Sequence, residues 1–281
     1  MTYATVQELP AAVAEGLAAG TLAPYLGPGM LSLCEGTTPP ADPLALVAVL
    51  TAKVSVPGKI KNRLTAAAQF IENFKHRKSL VKAMDEAYAA AATPSALHQW
   101  IAALPAPLVV DAWYDDTLRQ ALCARSDWAE VQGLAQSEHF GTWTGWYDAA
   151  GAACPDPVAG AKTIYYKPWG GHLPASNYLV SDSDYVEVLT EIDIQTPIPA
   201  EVQQRRASLG FVFLGCRFND QLPRAFARQI MKRSQGPHYA VMAEEPTRME
   251  ARFFEEQGIT RIALPLAAVA AALVGKATAA A

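Results

Sequence analysis

The sequence predicts an α/β protein built on a doubly wound parallel sheet that carries helical insertions. Three observations carry that reading. From residue 201 onward, short apolar runs alternate with helix-patterned segments of about 10–15 residues, the rhythm of right-handed βαβ units. Residues 107–111, Pro-Leu-Val-Val-Asp, form a compact apolar run that opens on a proline and closes on polar residues, as a buried parallel strand does. Residues 22–26 lead directly into Gly27-Pro28-Gly29, a short strand followed by a glycine turn.

Taken in order, residues 6–19 have the apolar spacing of a helix, stopped by Gly20 before the strand at 22–26. A Thr/Pro-rich loop follows, and residues 44–92 are helical in pattern, broken near Pro57-Gly58. The stretch from about 37 to 92 is therefore expected to be a helical insertion. Its basic residues, among them Lys59, Lys61, Arg63, Lys75, Arg77 and Lys82, read as a solvated helix face. A helix at 95–104 precedes the strand at 107–111, and another is expected at 115–123. Residues from about 127 to 160 are rich in aromatics, glycine and small residues, which predicts a second, loop-rich insertion. A strand at 163–167 is punctuated by Pro168-Trp169-Gly170-Gly171, and a helix at 184–191 is expected with Ser183 as its cap. Helix 201–208, strand 209–214, helix 221–233, strand 239–243, helix 247–257 closed by Gly258, strand 261–264 and a terminal helix complete a single domain over 1–281.

Composition excludes several function classes. Hydrophobic residues make up 51% and charged residues 18%, with mean hydropathy +0.07, so a well-buried interior is expected and disorder is not. The net charge of −4 leaves no electrostatic footprint for a phosphate backbone, so neither nucleic acid nor an anionic membrane surface is an expected partner. No apolar run approaches the ~20 residues a bilayer span needs, and no leader pattern opens the chain. A cytoplasmic protein is the expectation. The cysteines Cys34, Cys123, Cys154 and Cys216 are widely spaced, with no C-x-x-C pair, and read as reduced thiols rather than a zinc ribbon or disulfide framework.

In a doubly wound sheet, ligands bind beyond the carboxyl ends of the strands. Four segments fall there: Leu26-Gly27-Pro28-Gly29-Met30-Leu31-Ser32; Val110-Asp111-Ala112-Trp113-Tyr114-Asp115-Asp116; Tyr166-Lys167-Pro168-Trp169-Gly170-Gly171 with Ser181-Asp182-Ser183-Asp184-Tyr185 after it; and Phe213-Leu214-Gly215-Cys216-Arg217-Phe218-Asn219-Asp220. In this order and spacing they resemble the sirtuin-like family of NAD-binding proteins, especially its bacterial branch without a zinc ribbon. That family's pattern is a Gly-Ala-Gly-x-Ser turn, then Thr-Thr-Asn-Tyr-Asp, then Lys-x-His-Gly with a later acidic-Asp-Tyr, then Phe-Leu-Gly with an Asp five residues on. The correspondence spans about residues 22–265.

The resemblance implies a Rossmann-type fold holding NAD or ADP-ribose in extended form. Its cofactor-binding residues would be Gly27, Gly29, Met30, Trp113, Asp115, Lys167, Trp169, Gly170, Gly215 and Asp220, with the glycine turn near the pyrophosphate and Asp220 capping the following helix. Active members cleave the bond between nicotinamide and ribose. That reaction needs a planar amide to position water or ribose and a histidine as general base. Here the motif asparagine falls on Trp113 and the motif histidine on Trp169, and an indole has one N–H donor and no basic nitrogen. Pro28 also removes a backbone N–H from the turn, and Leu31 stands at the serine position.

Three readings stay open. The first is a degenerate member that binds NAD, ADP-ribose or a repurposed ligand without cleaving it. The second is an NAD hydrolase rebuilt on other groups, with His172, Asp111 and Asp116 as candidates. The third is a protein that binds a metal or metal cluster through soft donors, with Cys34, His139, Cys154 and Cys216 as ligands. Protein deacetylation is the least expected activity, because both the zinc-binding cysteines and the base are missing. A small-molecule or nucleotide ligand is the expected partner, and a homo-oligomer or a protein partner is equally compatible with the sequence.

Overall fold

The computed structural model describes the chain except residues 1, 10, 37–38, 136–140, 195–197 and 281, and the side chains of 191–194 and 276–280. His139, one of the soft-donor candidates, lies outside the described residues. In chain order the elements are β1 (Thr2–Tyr3), α1 (Ala11–Ala18), β2 (Leu22–Leu26), α2 (Pro43–Lys53), α3 (Leu64–Lys75), α4 (Arg77–Tyr88), α5 (Ala96–Ala103), β3 (Leu108–Asp111) and α6 (Thr117–Leu122). There follow β4 (Trp128–Gly133), β5 (Thr144–Tyr147), β6 (Ala153–Cys154), β7 (Thr163–Lys167), β8 (Gly170–Gly171), β9 (Asn177–Tyr178), α7 (Asp182–Ile194) and α8 (Ala200–Arg206). The last are β10 (Gly210–Leu214), α9 (Gln221–Met231), β11 (His238–Val241), α10 (Arg248–Gln257), β12 (Ile259–Ile262) and α11 (Leu266–Ala280).

Among the described residues the main sheet has ten strands in the order β1-β12-β11-β10-β2-β3-β7-β4-β5-β6. Every pairing is parallel from β1 to β4, and β5 and β6 add an antiparallel edge. β2 lies between β3, its successor, and β10, which the chain reaches much later, so the topological switch lies beside β2. The sheet is the expected mostly parallel, helix-flanked α/β architecture.

Side chains alternate cleanly across the strands. Ala23, Tyr25, Phe211 and Phe213 face one layer with Leu46, Ile71, Leu80, Phe226 and Phe253. Leu22, Leu26, Val212 and Leu214 face the other, with Val13, Leu17, Ile101, Leu118 and Val269. Both faces are thus covered by helices, which is why these strands read as continuous apolar runs.

Three details differ from the sequence reading. The stretch expected to be loop-rich contains β4, a wholly buried strand paired in parallel with β7, and β5 and β6 beyond it. Its alternation was disguised because Glu130 and Gln132 point into the protein between Ala129 and Val131 and find polar partners there. Helix α7 starts at Asp182, and Ser181 rather than Ser183 accepts the Asp184 N–H. The N-terminal helix divides into a 3-10 turn at Val6–Glu8 and α1.

Helices α2, α3 and α4, between β2 and β3, dock over the carboxyl side of the sheet through polar tethers. Arg77 Nη1 donates to both carboxylate oxygens of the buried Asp184, at 3.0 and 2.8 Å, and its Nη2 donates to the Tyr178 carbonyl. The Tyr178 hydroxyl donates to Asp85 at 2.7 Å, and the Ser183 N–H donates to Gln69 at 2.7 Å.

Candidate functional site

The switch point brings together the turn after β2 and the turn after β10. Residues Pro28–Leu33 wind into a 3-10 turn with Gly27 at its start. The Gly27 N–H donates to Leu214 O at 2.9 Å, the Gly29 N–H to Gly215 O at 2.9 Å, and the Met30 N–H to Gly27 O at 3.1 Å. The amides expected to face a phosphate are therefore engaged within the protein, and Pro28 has none. Gly215 sits at φ +66°, where a Cβ would lie 2.5 Å from Met30 N, so the two turns touch backbone to backbone.

Where the resemblance puts nicotinamide and its ribose, aromatic rings fill the space. Trp113 is 1% exposed and Trp169 6%, and their rings meet edge to face at 6.5 Å. Tyr114, Tyr185 and Phe226 close around Trp169 at 5.8–6.3 Å. The Trp113 indole N–H donates to Pro40 O at 2.8 Å, which ties this plug to the segment before α2. Tyr114 OH donates to Leu179 O at 2.7 Å, whereas the buried Trp169 Nε1 has no hydrogen-bond partner among the described residues. The void lined by Tyr166, Pro168, Leu179 and Phe226 measures ≈ 10 Å³, about room for one water.

Beside the plug lies a buried polar layer at the ends of β3, β4 and β7. Lys167 Nζ contacts Asp111 Oδ2 at 3.1 Å, Asp115 O at 2.8 Å and Tyr165 OH at 3.3 Å, and Tyr165 OH donates to Asp111 at 2.5 Å. Burial pushes the Asp111 carboxyl up to about 6 against the opposing pull of Lys167. For Lys167 burial acts downward, but Asp111 and then Asp115, Asp116 and Glu130 outweigh it, and its ammonium is held charged. Arg119 Nε stands 3.1 Å from Glu130, and Gln132 donates to Glu130 at 2.6 Å. Burial raises Glu130 to about 7, opposed by Arg119. At the edge of this layer His172 Nδ1 lies 2.8 Å from Asp116 Oδ2, and the His172 side chain is 21% exposed.

A family model described as a SIR2-like domain matches residues 107–262. The chain belongs to the SIR2-like family. The matched stretch runs from β3 to β12 and holds the polar layer, the plug and Gly215, while the glycine turn after β2 and helices α2 to α4 lie before it. No match was found among curated proteins.

Within this SIR2-like protein, most of the residues the resemblance assigns to cofactor are packed against other parts of the chain: Trp113, Lys167 and Trp169 are buried, Gly29 and Gly215 are half-buried, and Asp220 is exposed. Gly27, Gly29, Met30 and Gly215 form the locked pair of turns, and Trp113 and Trp169 form the plug. Asp115 and Lys167 belong to the polar layer, with Asp115 Oδ1 accepting the Thr117 N–H at 2.9 Å. Gly170 begins the β8–β9 hairpin, with Asn177 O 2.2 Å from any Cβ placed there, and Asp220 caps α9. The Gly27, Gly29 and Met30 amides are engaged within the protein, and an indole stands where the resemblance puts the base.

Among the described residues, the soft donors Cys34, Cys154 and Cys216 form no group that could hold a metal ion. Cys216 Sγ faces Tyr25 O and Leu214 O at 3.6 Å each, and burial pushes its thiol well up. Cys154 lies on the β6 edge, and Cys34 closes the 3-10 turn. Among the described residues no three of His, Cys, Asp and Glu are grouped to hold a metal ion. Sequence reasoning missed Glu130, Arg119 and Tyr165. Their one available signal was the i, i+2 spacing of Glu130 and Gln132 around apolar neighbours, which marks polar side chains on one face of a strand.

Proposed function

We propose that this SIR2-like protein does not cleave NAD and acts as a binding or scaffolding module. Its ligand is a nucleotide of the NAD or ADP-ribose class, or a repurposed ligand, bound outside the aromatic plug. The observation that carries the reading is Trp169, buried at 6% exposure against Trp113 at the position of the family's base. An indole cannot take a proton from a ribose hydroxyl, and packing it there leaves no room for the sugar. Because the plug also engages Pro40 and Phe226, it is a part of the core, and any ligand is met outside it.

Incubation of the purified protein with NAD, with nicotinamide release followed by chromatography, tests the catalytic half. No release above the uncatalysed rate is expected, and steady turnover removes the reading. A thermal shift with NAD and with ADP-ribose tests the binding half, since ligand at 100 times its Kd adds roughly 2.7 kcal/mol of stability.

A second reading has one observation in its favour. The His172 imidazole is oriented by Asp116 at 2.8 Å and is partly open to solvent, the arrangement of a general base. It predicts NAD cleavage that disappears in His172→Ala, so the same assay separates the two.

A further inference from the structure

The groove between α9 and α10 differs in character from the closed crevice. Both helices follow neighbouring strands, β10 and β11, and bury Phe226, Ala227, Phe253 and Phe254 on one face of the sheet. Their outer seam is a groove of ≈ 320 Å³ into which Arg224, Arg228 and Arg252 all project, faced by Glu256, with Met249 at the rim. Three guanidiniums against one carboxylate give this seam a net charge of +2 (3 − 1), on a chain whose net charge is −4.

The arginines are held in place. Arg228 Nη2 and Arg252 Nε reach the two oxygens of Glu256, at 3.2 and 2.6 Å, so both already converge on one anionic group. The Arg228 guanidinium also lies over the Phe253 ring at 6.0 Å, and Arg224 Nη1 is anchored on Phe218 O. Forks of N–H donors fixed by ring and carboxylate are pre-organised for phosphate oxygens, which accept them in pairs. Ala225 between the arginines leaves the floor open, and Met249, 47% exposed, offers apolar surface beside it.

We propose that this seam is an anion site for a diphosphate-bearing small molecule of nucleotide size. The groove lies toward the small end of the ligand-pocket range, which suits one diphosphate with a sugar or base against Met249. The choice of ligand class rests on the non-cleaving reading above; the anion site itself rests on the three arginines.

Isothermal titration of the full chain with inorganic pyrophosphate, then with ADP, tests it. Binding is expected to weaken as salt is raised, because these charges are solvent-exposed. Arg224→Ala with Arg252→Ala should weaken pyrophosphate binding at least fivefold while the thermal unfolding midpoint stays near that of the native chain. A smaller loss, or no binding by the native chain at millimolar pyrophosphate, overturns the proposal. NAD and ADP-ribose titrated into the same sample keep the two claims apart. Pyrophosphate bound while ADP, NAD and ADP-ribose are all refused overturns the proposed ligand of nucleotide size, and ADP bound with NAD and ADP-ribose refused keeps the groove and removes their class from the previous reading; NAD cleaved removes that reading and leaves the groove untouched.

Discussion

The Gly29 N–H donates to the Gly215 carbonyl at 2.9 Å and, with the Gly27 N–H on Leu214 O, joins the turn after β2 to the turn after β10. It continues the pairing of β2 with β10, in register as far as Leu26 and Leu214, one step past the strand ends at the switch point.

Gly215→Ala should therefore be costly. A Cβ there would lie 2.5 Å from Met30 N in a left-handed backbone conformation, so relief requires moving backbone. A loss of about 2–4 kcal/mol in urea unfolding is expected. Gly58→Ala, where nothing lies within 4 Å, is the matched control and should be near neutral.

Restoring the two family side chains should not restore chemistry. Trp113→Asn with Trp169→His is expected to give no nicotinamide release, because the turn amides stay engaged with Gly215 and Leu214. The same change empties a packed aromatic cluster, and on the order of 3–5 kcal/mol of stability should be lost. Turnover in the double variant would show that the plug alone had closed the site.

Lys167 and Asp111 are a buried ion pair, 1% and 6% exposed at the side chain. Lys167→Met or Asp111→Asn alone leaves an uncompensated polar group and should cost about 3–5 kcal/mol. The double variant should cost clearly less than the sum of the two, which a double-mutant cycle in urea measures.

Acid should act through Glu250. Burial works against its charge, but Arg217 and the N–H groups of Thr247 and Phe218 outweigh it and hold the carboxyl at about 2, below its ordinary 4.5. A depressed folded-state value contributes stability that is present above about 4.5 and is lost as pH falls toward about 2. Arg217 is 43% exposed, so solvent screens the pair and the expected effect is on the order of 1–3 kcal/mol. Glu250→Gln should flatten that part of the pH–stability curve. Glu130, raised to about 7, acts in the opposite sense: its contribution is complete below its ordinary 4.5 and declines as pH rises through neutrality.

The strands that carry the switch point were legible in the sequence because both of their faces are buried, which makes runs such as Phe211-Val212-Phe213-Leu214 unmistakable. β4 was not, since its inward face carries Trp128, Glu130 and Gln132, and only the fold brings Arg119 to meet them. Trp113 and Trp169 also stand out in the sequence. What those residues touch does not. That Gly29 bonds to Gly215, or that Trp113 reaches Pro40, follows from how two distant turns and the segment before α2 come together. Local spacing carries no trace of such contacts. The arginine seam was hidden for the same reason, its two halves standing 24–28 residues apart in sequence (Arg252 against Arg228; Arg252 against Arg224).

Arg77 makes helices α2 to α4 a keystone and not an ornament. Its guanidinium is the counter-ion of a carboxylate, Asp184, that is 2% exposed and more than a hundred residues downstream. A shortened chain without those helices would leave the Asp184 carboxylate its Val180 and Ser181 N–H donors but no counter-ion. The excursion between β2 and β3 is thus bound by charge to the chain's other half, so that loosening one side loosens both.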